Sequence, residues 1–91
     1  MTTLSAKIKL YIPTSASLKD KRQIRQSVIA KVRQKFNVAI AEVDGQDLHQ
    51  ALILGVAVVS ADGKHAQSMF DEIVRFIEEN ADAELIDVDY E

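Results

Sequence analysis

The sequence predicts one α+β domain, residues 1–91, with four strands and two helices in the order βαββαβ. Three observations predict it. Along the 91 residues the apolar period switches between two and about 3.6, in the order strand, helix, strand, strand, helix, strand. Turn residues punctuate the changes at Asp44-Gly45-Gln46-Asp47 and Ser60-Ala61-Asp62-Gly63. One run, Ala51 to Val59, is apolar throughout, as suits a strand in the middle of a sheet. Two right-handed βαβ units interleaved in this order give a ferredoxin-like sandwich. That is a four-stranded antiparallel sheet with both helices on one face and the first and third strands central.

Each element has its own warrant. Ala6, Ile8, Leu10 and Ile12 alternate with Lys7, Lys9 and Tyr11, which marks a half-buried strand ended by Pro13. Ser17 is placed as a helix N-cap, with Asp20 three residues on completing a capping-box-like pair. Leu18, Ile24, Val28, Ile29, Val32 and Phe36 then recur at helical spacing, so the first helix is expected over about Leu18 to Phe36. Arg33 and Lys35 fall in its last turn, where the dipole favours cations. Asn37 is expected to end it in the left-handed conformation. Val38 to Val43 is the second strand, the Asp44-Gly45 turn follows, and Ala51 to Val59 is the third strand. Ala66, Met69, Phe70, Ile73, Val74 and Ile77 define one face of the second helix, with Asp71, Glu72, Arg75, Glu78 and Glu79 opposite. Leu85, Ile86, Val88 and Tyr90, set among acids, form the last strand. Gly45 and Gly63 are expected at turns, and Gly55 at a close approach or a bulge.

Composition narrows the function classes. Apolar residues are 47% and aromatics 5%, so aliphatic side chains must build the core. There is no cysteine, which excludes disulfides, cysteine-ligated zinc and thiol catalysis, and favours the cytoplasm. Charges interrupt the N-terminus too early for a signal peptide, and no run approaches the ~20 apolar residues of a membrane helix. No membrane partner is expected.

Ile12-Pro13, Ser17-Leu18-Lys19-Asp20-Lys21-Arg22, Phe36-Asn37-Val38, Ala41-Glu42-Val43-Asp44 and Leu54-Gly55-Val56-Ala57-Val58-Val59-Ser60, in this order and spacing, resemble the YlxP-like family, bacterial domain of unknown function 503. The resemblance covers essentially the whole chain. It implies a ferredoxin-like fold and a cytoplasmic bacterial protein. It also implies a link to the ribosome or RNA, because genes of the family often sit beside translation-initiation and ribosome-maturation genes. It implies no established enzymatic activity. Arg25, His49 and Ala51 depart from the family pattern, in which an aliphatic residue, Trp and Arg are usual.

The residues offer few chemical sites. Lys19, Lys21 and Arg22 open the first helix, where backbone N–H groups and the positive dipole end also attract anions. Lys31, Arg33 and Lys35 extend the basic surface. These six are the candidate anion or RNA-binding residues, against the alternative of a solvated polar helix start. Lys7, Lys9 and Tyr11 line the sheet face that the helices leave open, the face on which RNA-binding domains of this topology stack bases. Their third-strand aromatics are absent here, and pairing of Lys7 and Lys9 with Asp87 and Asp89 is the competing expectation. That face must also show one row of the third strand: Leu52, Leu54, Val56 and Val58, or Ala51, Ile53, Gly55, Ala57 and Val59. Either row is apolar, so Tyr11, Ile53 and Leu54 are candidates for a homodimer interface.

His49 and His65 lack any metal-ligand spacing, no nucleophile motif is present, and no cofactor is expected. An acylphosphatase, which shares the topology, needs Gly and Arg in the first loop; this chain has Thr14-Ser15-Ala16. Arg25 falls within the apolar face of the first helix; an edge residue reaching solvent along its aliphatic stem is the first expectation, and if buried it needs a carboxylate partner, with Glu42 the candidate.

Charge is divided unevenly. Residues 1–36 hold nine of the eleven bases and one acid; residues 37–91 hold two bases and thirteen acids, within a net charge of −3. The fold reading turns much of this into complementarity between neighbouring elements. The basic flank turned away from the second helix, and the Lys19–Arg22 helix start, remain as the anion site. The first function expected is a non-enzymatic accessory factor on ribosomal RNA or a ribosome-associated protein. The second is a self-associating interaction module; a small-ligand regulatory domain comes third and an enzyme last.

Overall fold

A computed structural model describes residues 1–91. It contains β1 (Thr2–Tyr11), α1 (Leu18–Lys35), β2 (Ala39–Asp44), β3 (Ala51–Ser60), α2 (Gly63–Asn80) and β4 (Glu84–Tyr90). The sheet order is β2-β3-β1-β4 and every pairing is antiparallel. This is the ferredoxin-like α+β sandwich, with β1 and β3 at its centre. No helix is long and apolar enough to cross a membrane.

Parity along the strands determines the two faces. Ala6, Ile8, Leu10 and Ile12 from the β1 segment, Leu52, Leu54, Val56 and Val58 from β3, and Ile40 from β2 are buried beneath the helices. The open face therefore carries Ala51, Ile53, Gly55, Ala57 and Val59 from β3. Leu54 is fully buried in the core and cannot serve as an interface residue; Ile53, its neighbour of opposite parity, faces outward. Ala66, Phe70, Ile73 and Ile77 of α2 complete the core from above, while α1 contributes only Val28 and Val32 as fully buried apolar residues. The second helix is thus held by apolar burial, and the first needs something more.

Helix ends follow local side-chain chemistry. Ser17 Oγ accepts the Asp20 N–H at 3.1 Å, and Asp20 Oδ2 accepts the N–H of Ala16 at 3.0 Å, closing a reciprocal cap. Asp62 caps α2 by accepting the His65 N–H at 2.8 Å. The other end of α1 differs from expectation. Asn37 is not left-handed; Phe36 itself turns extended, at φ −125°, and sets its ring edge-on to Phe76, 5.6 Å away. Aromatic packing against α2 ends the helix where a left-handed residue was expected.

Both outer pairings carry an irregularity, between Lys9 and Leu10 against β4 and between Glu42 and Asp44 against β3. At the second, Val43 is the extra residue, and it lies across Gly55. A Cβ built on Gly55 would meet Val43 Cγ1 at 2.6 Å, so close packing explains this glycine. Gly55→Ala should therefore destabilise the fold by about 1–3 kcal/mol in urea unfolding. Val43→Ala in the same chain should recover most of that loss; failure to recover would show that the bulge is not its cause.

Candidate functional site

Lys21 lies one turn into α1 on the inward stripe that continues through Arg25, Val28 and Val32. The capped start of the helix and this spacing carry its stem under the helix rather than into solvent. The residue is 1% exposed. Its Nζ donates to the carbonyls of Gly45 at 2.8 Å, Gln46 at 3.2 Å and Ala51 at 3.2 Å, which accounts for all three ammonium protons. Glu42 Oε2 stands 2.9 Å away and pairs with the same ammonium as a fourth neighbour. The β2–β3 turn, with Gly45 at φ +63°, curls its carbonyls inward to make this cradle.

Glu42 is the centre of the cluster, its side chain 7% exposed. Oε1 accepts Arg25 Nη1 at 2.8 Å. Burial alone would push the Glu42 carboxyl up. The hydrogen bonds and positive charges of Lys21 and Arg25 together outweigh burial and hold it below the ordinary carboxylate value. Arg25 keeps 27% of its side-chain surface in solvent, as the edge reading expects, and also pairs with Glu42, the candidate partner. Two cations share one carboxylate, so the cluster keeps one net positive charge, with the Arg25 guanidinium its part-exposed member.

The six basic candidates separate into three groups. Lys21 leaves the surface altogether: a phosphate cannot reach an ammonium enclosed by three carbonyls and a carboxylate. Lys31 and Lys35 remain exposed on the side of α2. Lys31 Nζ donates to the Asn80 carbonyl at 3.4 Å, at the negative end of α2, and Lys35 stands 4.8 Å from the Phe76 ring centre. Lys19, Arg22 and Arg33 are exposed on the helix, form no salt bridge, and are brought together along the flank away from α2. Arg33 Nη2 donates to the Ile40 carbonyl of β2 at 3.0 Å. Asp47 shares a recess of about 260 Å³ with Arg22 and Arg25 without pairing to either.

The open face keeps Tyr11 and Ile53 on its surface, with Val43 and Val59 also exposed. Lys7 lies opposite Asp89 and Lys9 opposite Asp87 in the register. The ion pair formed there joins Lys7 to Glu91 at 3.6 Å. Two grooves flank β2. One, of about 480 Å³, lies on the open face over Ala41, Gly55 and Ala57; the other, of about 460 Å³, lies between α1 and β2 beside Arg25, Ile29 and Arg33.

Sequence reasoning missed the enclosure of Lys21 and the central place of Glu42. Both had a signal. Lys21 is three, four, seven and eleven residues from Ile24, Arg25, Val28 and Val32, which is the inward stripe itself. Glu42 shares parity with the inward Ile40.

Two comparisons bear on identity. Residues 3–90 match the family model described as protein of unknown function (DUF503). The uncharacterized protein YlxP of Bacillus subtilis (strain 168) is 32% identical over 73 residues, which span 80% of this chain and 79% of that protein.

Removing either partner of the buried pair should be costly. Glu42→Gln and Lys21→Met are each expected to lower unfolding free energy by about 3–5 kcal/mol at neutral pH. The pH dependence follows from the depressed Glu42 pKa. Its contribution is complete above the unfolded-state value of about 4.3 and is lost as pH falls through the lower folded-state value. The gap between parent and Glu42→Gln in denaturant titrations should narrow over that acid range, and a pH-independent gap would contradict the pairing.

Proposed function

The chain belongs to the DUF503 family of proteins of unknown function, and from that premise we propose that it is a cytoplasmic, non-enzymatic accessory factor that docks on RNA, ribosomal RNA first, through the flank of α1 turned away from α2. One observation carries the reading. Lys19, Arg22 and Arg33 stand exposed on that flank without a carboxylate partner, while the acids of the chain lie on α2, β4 and the connecting and terminal segments, apart from Asp20 on α1 and Glu42 and Asp44 on β2. Phosphate is attracted to one side of the molecule and repelled from the other, so the charge pattern orients docking as well as driving it.

The geometry favours backbone contacts over base reading. Lys19 and Arg33 lie roughly 21 Å apart along the helix axis at 1.5 Å per residue. Cations on that span suit a phosphate backbone and position the protein without reading sequence. The centre of the open face carries Ser5, Lys7, Gly55 and Ala57, which provide no aromatic platform for stacked bases. A ribosome-associated protein with an acidic surface is the corresponding protein partner.

The test is binding to ribosomal particles and to a structured ribosomal RNA fragment across a salt series. Affinity should fall linearly on a logarithmic plot, and Arg22→Ala should lower the slope by about one. Lys19→Ala with Arg22→Ala should weaken binding by about tenfold or more at low salt, whereas Lys31→Ala should change it little. Salt-independent binding, or none at low ionic strength, would overturn the reading.

The exposed Tyr11, Val43 and Val59 favour a second reading, self-association through the open face. Sedimentation at micromolar concentration decides it. A dimer that Ile53→Lys dissociates supports this reading, and a monomer rejects it.

A further inference from the structure

We propose that the free edge of β2 is a strand-addition site for an extended segment of a partner protein in which acidic and apolar residues alternate. β2 ends the sheet and has no neighbour on its outer side. Two grooves, of about 480 and 460 Å³, flank this same strand, one on each face of the sheet, and share Arg33, Ile40 and Ala41. A strand laid beside β2 sends successive side chains to opposite faces, hence alternately into one groove and the other.

The chemistry of the two grooves differs. On the open face, the cross-strand rows Ser5–Ala57–Ala39 and Lys7–Gly55–Ala41 leave a floor of small residues at Ala39 and Ala57, bounded by Val43 over Gly55 and by the Lys7–Glu91 pair. A large apolar side chain fits there. On the other face, Arg25 and Arg33 stand roughly 12 Å apart along α1 at 1.5 Å per residue, with Ile29 between them. Glu42 lines the same groove and already holds Arg25, so Arg33 is the guanidinium left for an incoming side chain, and a carboxylate is favoured beside it. The occupant is therefore fixed in charge as well as in shape.

The edges of the sheet are treated differently. β4, the other edge, carries Glu84, Asp87 and Asp89, acids that discourage pairing, while both edges share a register shift against their neighbour. β2 presents Ala39, Ala41 and Val43 on its open side, with no outward charge before Asp44. Backbone groups alternate in direction along a strand, and the reach of Arg33 to the Ile40 carbonyl marks Ile40 and Glu42 as the positions facing the free edge. Arg33 thus occupies an edge acceptor until an incoming carboxylate draws its guanidinium away. This inference does not depend on RNA binding.

The experiment is an NMR titration of the intact chain, without RNA, with a short capped peptide alternating Asp and Leu. Controls are a peptide of the same composition in two blocks and one alternating Lys and Leu. Saturable binding is expected, with the largest shifts and new exchange protection at the Ile40 and Glu42 amides. Both controls, and the variants Arg33→Glu and Ala41→Lys at these exposed positions, should bind at least about tenfold more weakly. Equal binding of the block peptide, shifts centred on β4, or no binding at millimolar peptide would overturn the proposal. So would protection of the same amides by a second copy of the chain without peptide.

Discussion

Lys21 places its ammonium where three backbone carbonyls and the Glu42 carboxylate converge, and the relative positions of α1, β2 and β3 follow from that. Burying a charge costs several kcal/mol, and only a full set of partners offsets it. Here every ammonium proton is used. The arrangement has a reason in the composition of the two helices. α2 seats four fully buried apolar or small residues, whereas α1 seats Val28 and Val32 and must make up its inner face with Lys21. One side chain thereby ties the start of α1 to the β2–β3 turn and to the first residue of β3.

The same cluster explains how a chain with a steep charge division folds without strain between its halves. Arg25 and Lys21 share the single carboxylate of Glu42, which leaves that cluster one positive charge, while Lys7 pairs with Glu91 and Lys31 meets the carbonyl end of α2. Lys35 rests against aromatic rings. What is left unpaired on α1 lies on one flank, Lys19, Arg22 and Arg33, and this flank borders β2, the sheet edge whose outward acid is Asp44 alone. The two interaction surfaces argued above are neighbours because both are what remains once internal pairing is complete.

Most of the fold was legible because it rests on local periods. Alternation in β1, the unbroken apolar run of β3 and the turn residues around Gly45 and Gly63 each specify an element before any tertiary contact forms. The Ser17 cap and the Arg25–Glu42 pair were also readable, the first from residue type and the second from a charge lying within an apolar stripe. The candidate site was read less completely. Lys21 sat in a run of charges that looked solvated, although its spacing to Val28 and Val32 pointed inward. Leu54 could not be separated from Ile53, because an all-apolar strand has no polar face to reveal its parity.

The sequence alone determined the order of elements, the centre of the sheet and the uneven supply of charge, since these depend on neighbours a few residues apart. Tertiary structure alone decided which row of β3 faces the helices, which lysines keep access to solvent and which strand edge stays open. Those outcomes depend on where the β2–β3 turn lays its carbonyls and on which flank of α1 lies against α2. Both bring together residues distant in sequence, and no local period records them.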